Sequence, residues 1–103
     1  MKLVSIQSPY AGDPERNTAY ARRALTDSLS RDEAPFASHL LYTQVIDESS
    51  RGAALQCDHA FLAKCDLVAF YMDLGFSPGM HLAHQKAIEF NVPIELRQIG
   101  ICP

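Results

Sequence analysis

An α/β fold with a parallel sheet is predicted by three features of the sequence. Residues 67–72 are apolar throughout and include Val68, Phe70 and Tyr71, the composition of a strand covered on both faces. Four strand-like segments alternate with three helix-like ones, an order that calls for right-handed crossovers and helices on both faces of the sheet. Helix-start residues follow the strands, with Asp13-Pro14-Glu15 after the first and Ser77-Pro78 after the third. At 103 residues the chain is expected to be one domain, 1–103, with a two- or three-layer core.

Residues 2–7 read as the first strand, with Leu3, Val4 and Ile6 apolar, ended by the turn composition Ser8-Pro9-Tyr10-Ala11-Gly12. Asp13, Pro14 and Glu15 then supply an N-cap, a first helical position and an acidic first turn. In that helix Ala21, Ala24, Leu25 and Leu29 recur at helical spacing, and Arg16, Arg22, Arg23 and Asp27 supply a polar side. Residues 34–38 make a second strand that Pro35 confines to a strand start or an edge. Residues 39–45 read as loop, because a strand continued through them would be unusually long. Ser50-Arg51-Gly52 leads into a second helix whose apolar residues are Ala53, Ala54, Cys57, Ala60, Phe61 and Leu62. The third strand gives way to a turn carrying Asp73 and Gly75. A third helix follows, capped by Ser77 and begun by Pro78, with Met80, Ala83, Ala87 and Ile88 inward and Asn91 at its C-terminal end. Residues 93–99 form the last strand, with Ile94, Leu96 and Ile99 alternating with Glu95, Arg97 and Gln98 as on an edge.

The formal charge of −3 leaves no electrostatic footprint for polymeric nucleic acid or an anionic membrane, although local amides can still hold a mononucleotide phosphate. With 48% hydrophobic and 20% charged residues the composition is that of a soluble globular domain. No apolar run reaches the length of a membrane span, and residues 1–4 enter a strand pattern rather than a signal peptide, so a cytoplasmic protein is expected. Cys57, Cys65 and Cys102 are odd in number and lack paired zinc spacing, which fits reduced structural thiols; Cys102 stands beside Pro103, a position open to exposure. No cofactor is expected.

A chain that starts in mid-sheet gives the spatial order 2-1-3-4, flavodoxin-like or Rossmann-like. Its topological switch point lies between strands one and three, where ligands of open α/β sheets bind beyond the carboxyl ends. Gln7-Ser8-Pro9-Tyr10 then faces Tyr71-Met72-Asp73-Leu74-Gly75 across one pocket. Tyr10 can stack on a ring or hydrogen-bond a sugar there, or be a plain turn aromatic. Asp73 can hold ribose hydroxyls or polarise a reacting group, or be an ordinary turn residue. Gly75, Ser77 and Gly79 read as an anion cradle at a helix start, with Met80 beside them among the ligand-binding candidates, and a helix start without a ligand uses the same residue types. His39 and Tyr42, beyond strand two, can form a pocket wall; a satisfied, partly buried ring is the alternative for His39. His81 and His84 share a helix face, yet no third and fourth ligand is evident and no metal is expected. Asn17, Tyr20 and Arg23 fall on the solvated side of the first helix, with Asn17 near enough to its start to point toward the pocket. Neither a nucleophile elbow nor a motif pairing Cys with His is visible.

Ser8-Pro9-Tyr10, Asp13 with Asn17, His39-Leu40-Leu41-Tyr42-Thr43-Gln44 and Asp73-Leu74-Gly75-Phe76-Ser77-Pro78-Gly79-Met80 together resemble small phage and bacterial proteins similar to nucleoside 2-deoxyribosyltransferases. The likeness spans nearly the whole chain, and residues 66–80 and 92–97 carry it most specifically. In the transferases, the resemblance implies, a glutamate on the helix after the third strand attacks the anomeric carbon, an aspartate assists the base, and a tyrosine after strand one orients the nucleophile. Gly79-Met80-His81-Leu82 lies on the family's glycine, hydrophobe, glutamate and leucine, so His81 stands where that nucleophile belongs. An imidazole lacks the fixed negative charge that stabilises an oxocarbenium-like centre or forms a glycosyl ester. Glu89 lies more than two helical turns further on, too far to replace it. The expectation is therefore binding of a nucleotide or nucleoside-type small molecule without classical transferase turnover, as by a phage protein that sequesters a host immune nucleotide signal. The competing expectation is an N-glycosidase or deoxyribosyltransferase acting on a (deoxy)nucleoside or its monophosphate, with Asp73 as base. A homo-oligomer, a dimer or higher, is expected to complete a shallow pocket.

Overall fold

The computed structural model describes residues 1–100, so Cys102 lies outside the described residues. The elements are β1 (Leu3–Gln7), α1 (Pro14–Ser30), β2 (Ala34–Phe36), α2 (Ser38–Leu41), α3 (Arg51–Leu62), β3 (Leu67–Tyr71), α4 (Pro78–Glu89) and β4 (Ile94–Arg97), with 3₁₀ turns at Tyr42–Gln44 and Glu48–Ser50. The four strands form one parallel sheet in the order β2-β1-β3-β4. This is the Rossmann- or flavodoxin-like α/β architecture that the alternating segments predict. Among the described residues no helix is long and apolar enough to cross a membrane.

β3 organises the core because every residue of it is buried and its side chains alternate between two faces. Leu67, Ala69 and Tyr71 join Val4, Ile6, Tyr20 and Ala24 in the cluster under α1. Val68 and Phe70 join Leu62, Met80, Ala83 and Ala87 in the cluster under α3 and α4. The same alternation sends Ser5 and Gln7 of β1 to the α3 face, opposite Val4 and Ile6. Two buried polar side chains therefore enter the layer between the sheet and α3.

The helix ends follow their caps. The Asp13 carboxylate accepts the Arg16 N–H at 3.2 Å with Pro14 in the first turn, and Ser77 Oγ accepts the Met80 N–H at 3.2 Å ahead of Pro78. α4 ends with Asn91 in the left-handed region, φ 55°, while the Val92 N–H donates back to the Ala87 carbonyl.

Several sequence expectations are corrected. Residues 39–45 are not open loop: Ser38–Leu41 forms a helical turn and Tyr42–Gln44 a 3₁₀ turn, with Thr43 Oγ1 donating to the His39 carbonyl at 2.8 Å. Leu29 and Ile88 are exposed, because the buried stripes run through Tyr20, Ala21, Ala24 and Ser28 on α1 and through Met80, Ala83 and Ala87 on α4. On α3 the exposed residues include Ala53, Cys57, Ala60 and Phe61, whereas Asp58 and Leu62 are buried. Tyr20 belongs to the core rather than a solvated side. Arg97, on the expected polar side of an edge strand, is buried as well. On the α1 face of the sheet its Nη1 and Nη2 donate to Glu33, in the link from α1 to β2, at 2.8 and 2.7 Å, Nε donates to Glu95 at 2.7 Å and Nη1 also reaches the Tyr71 hydroxyl at 3.1 Å. That pairing holds the Glu33 carboxyl below its ordinary range, while burial pushes the Tyr71 phenol up to about 12.

Candidate functional site

At the carboxyl end of β1, on the α3 face, a cavity of about 100 Å³ lies between the loop after β1, helix α2 with its following turn, α3 and the start of α4. Asp58 of α3 lines it, buried to 5% exposure. Its carboxylate accepts Gln7 Nε2 at 3.2 and 3.0 Å and the Ser38 hydroxyl at 2.6 Å, and Gln7 Nε2 also donates to Ser5 Oγ at 3.0 Å. Gln7 is delivered by the strand alternation and Ser38 by the first turn of α2. Asp58 is delivered by helical spacing, since Ala54, Asp58 and Leu62 follow one another at four-residue intervals on the inward stripe of α3.

A second polar pair lines the same cavity. Ser8 Oγ and His39 Nε2 stand 2.7 Å apart, with Ser8 at the end of β1 and His39 in α2. Burial pushes the His39 imidazole below its ordinary value of 6.5, and the Asp58 carboxylate offsets part of that shift. Tyr10, Tyr42, Arg51, Ser77, Gly79 and Met80 also line the cavity. Tyr10, Thr43 and Arg51 also line an adjoining depression of about 140 Å³, so the cavity continues outward past them.

The structure thus brings Ser8, Tyr10, His39, Tyr42, Ser77, Gly79 and Met80 to one cavity. Pro9 and Asn17 line a separate open depression of about 390 Å³ between the starts of α1 and α4, which Ser77 shares. Asn17 is buried, and its Nδ2 donates to the carbonyls of Tyr10 and Ala11 at 2.9 and 3.1 Å, fixing the loop that carries Tyr10.

Asp73 lines neither space. Its carboxylate, on the α1 face, accepts the Tyr20 hydroxyl at 2.5 Å and the backbone amides of Ile99 and Gly100 at 3.0 and 2.8 Å, and its own N–H donates to Tyr20 Oη at 2.9 Å. These bonds tie the chain after β4 to the end of β3, so the expected pocket between Tyr10 and Asp73 is replaced by one between Tyr10 and Asp58. Gly75 serves the turn from β3 to α4: its N–H donates to the Met72 carbonyl at 2.9 Å with φ 84°. His81 is exposed with its ring 5.2 Å from that of Phe76, and His84 packs 5.5 Å from Phe70, so neither imidazole lines the cavity. Among the described residues no three His, Cys, Asp or Glu side chains gather as a metal site requires.

The family model described as "Domain of unknown function (DUF7768)" matches residues 2–97. The chain belongs to this family. No curated protein matches it. Among solved structures, this DUF7768 chain is similar to the Clostridium botulinum CMP N-glycosidase BcmB, with a TM-score of 0.59 and 14% identity over 94% of this chain and 69% of that one. The likeness is one of fold.

Sequence reasoning passed over Ser38, Arg51 and above all Asp58. The signal for Asp58 was present, a carboxylate on the stripe that the helix turns inward. An apolar count along α3 hides it, because Ala53, Cys57, Ala60 and Phe61 supply apolar residues on the outer face.

Proposed function

We propose that this domain binds a nucleotide or nucleoside-type small molecule in the cavity over Asp58. The observation that carries the reading is a buried carboxylate, bridged by Gln7 and Ser38, in a cavity at the switch point of an open parallel sheet. A carboxylate accepts hydrogen bonds only, and paired acceptors suit a sugar diol or the amino edge of a base. Tyr10 and Tyr42 offer ring faces for stacking. The start of α4 lines the same cavity through Ser77, Gly79 and Met80; Pro78 has no N–H and the Ser77 and Met80 amides are engaged within the cap, so the Gly79 amide and the helix dipole are what suit it to a phosphate. A Cβ on Gly79 would meet nothing nearer than 3.8 Å, so packing does not demand glycine there and room is left for a ligand.

Cleavage of the N-glycosidic bond is the second reading, and a specific observation favours it. The cavity joins a carboxylate able to face an oxocarbenium-like centre to a Ser–His pair. The fold of a CMP N-glycosidase supports the same chemistry. Classical transferase turnover through residue 81 is not part of the proposal, since the His81 ring stands outside the cavity. On this reading residues 1–103 are a single nucleoside 2-deoxyribosyltransferase-like domain, cytoplasmic and homo-oligomeric. On the binding reading its biological role would be a phage protein's sequestration of a host nucleotide signal.

Thermal-shift and calorimetric titration with the common nucleosides and their ribo- and deoxyribo-5′-monophosphates tests the binding. At a ligand concentration about 100 times Kd, roughly 2.7 kcal/mol of added stability and a rise in Tm of several degrees are expected. No shift and no heat across the panel would contradict the reading. Separation of the products tells binder from enzyme: intact ligand recovered after denaturation means binding, free base means cleavage.

A further inference from the structure

The Ser8–His39 pair has no part in holding the sheet or the Asp58 bridge, and both side chains reach the cavity wall from different elements. From this geometry we infer that Ser8 and His39 form a proton relay that activates water in the cavity, making the site hydrolytic; the inference rests on the nucleotide reading above. With the ring proton on Nδ1, His39 Nε2 accepts the Ser8 hydroxyl, and the Ser8 oxygen in turn accepts from a water placed over the cavity floor.

The step balances without a further reactant. The water oxygen bonds to C1′ of the sugar as the C1′–N bond breaks, and the water proton passes to Ser8 Oγ while the Ser8 proton moves to His39 Nε2. The departing base takes that proton back through solvent, and the products are the free base and the sugar phosphate. Asp58 faces the cationic sugar and Ser8 touches the attacking water, so no covalent intermediate on the enzyme is required. A base placed here has to be neutral near pH 7, and burial keeps the imidazole in that form. The titratable groups that share the cavity wall with the ring are Asp58 and Arg51 from α3, Tyr42 from the turn after α2 and Tyr10 from the loop after β1, and of these Asp58 acts on the imidazole directly.

The test measures base release and calorimetric Kd for the 5′-monophosphate panel with the wild type, Ser8→Ala and His39→Gln. Each substitution is expected to lower base release about 100-fold or more, with Kd kept within about threefold. The wild-type rate is expected to rise with pH to a plateau, its inflection below 6.5. That profile needs no substitution and decides the matter if a variant loses its melting transition. Variants that release base within threefold of the wild-type rate, or a rate that falls with rising pH across that window, would overturn the relay and leave the nucleotide reading standing. A wild type that binds a monophosphate and returns it intact also overturns the relay alone. Absence of both heat and free base across the panel removes the binding reading as well.

Discussion

Asp58 and Asp73 are both buried near the carboxyl end of the sheet, one on each face, and their partners differ in kind. Asp73 is held by the hydroxyl of the core residue Tyr20 and by two backbone amides of the chain leaving β4. Asp58 is held by Gln7 and Ser38, side chains that share a cavity wall with it. A carboxylate saturated by backbone and a core phenol fastens segments together. One bridged by side chains at the floor of a cavity can trade those bonds for a ligand's donors. Burial alone does not separate the two cases; the identity and location of the donors does.

The largest expected effect falls on the fastening carboxylate. Asp73→Ala strands the Tyr20 hydroxyl and two amides, and a loss of about 3 kcal/mol in urea unfolding is expected, with ligand affinity kept within about threefold. A variant of unchanged stability that no longer binds would reverse the roles of the two aspartates.

A smaller effect distinguishes the cavity side by its titrating neighbour. Because the folded His39 pKa lies below the ordinary 6.5, the unfolded chain takes up a proton that the folded chain refuses, and stability falls as pH drops below 6.5. Glu33 acts in the same direction only below its ordinary 4.5, where the stability contributed by its depressed pKa is lost. Between these values His39→Gln should flatten the slope by up to about 1.4 kcal/mol per pH unit. An unaltered slope in denaturation series at pH 6.5, 5.5 and 4.5 would contradict the account of His39. The smallest effect is at Gly79. Replacing it with Ala should leave stability unchanged or raise it by about 0.5–1 kcal/mol, since the new methyl meets only ordinary contacts. Monophosphate affinity should fall while nucleoside affinity holds, and equal losses for both would place the phosphate elsewhere.

Much of the fold is legible because its signals are local. The apolar run of β3, the Asp13-Pro14 and Ser77-Pro78 helix starts and Asn91 at the end of α4 each act through their immediate neighbours. The parallel sheet follows from segment order, the strand order from a start in mid-sheet, and with them the loop after β1 and the start of α4 come to the cavity. The misread features depend on partners far along the chain. Arg97 is buried because Glu33, 64 residues away, meets it across the sheet. Asp73 looks like a turn residue until Ile99 and Gly100 arrive, 26 and 27 residues later. Ser8 and His39 are 31 residues apart, and no spacing motif announces a pair made by two turns at the same sheet end. Tyr20 sits among arginines in sequence, yet its hydroxyl finds Asp73 and so its ring can be buried.

The central claim is that the ligand carboxylate is Asp58 and not Asp73. Calorimetric titration of Asp58→Asn and Asp73→Asn beside the wild type, with the 5′-monophosphate that binds tightest, tests it most directly. The account predicts a loss of affinity of at least about tenfold, or 1.4 kcal/mol, for Asp58→Asn and a change within about threefold for Asp73→Asn. Equal affinity in Asp58→Asn and the wild type, with the loss found in Asp73→Asn, would contradict it.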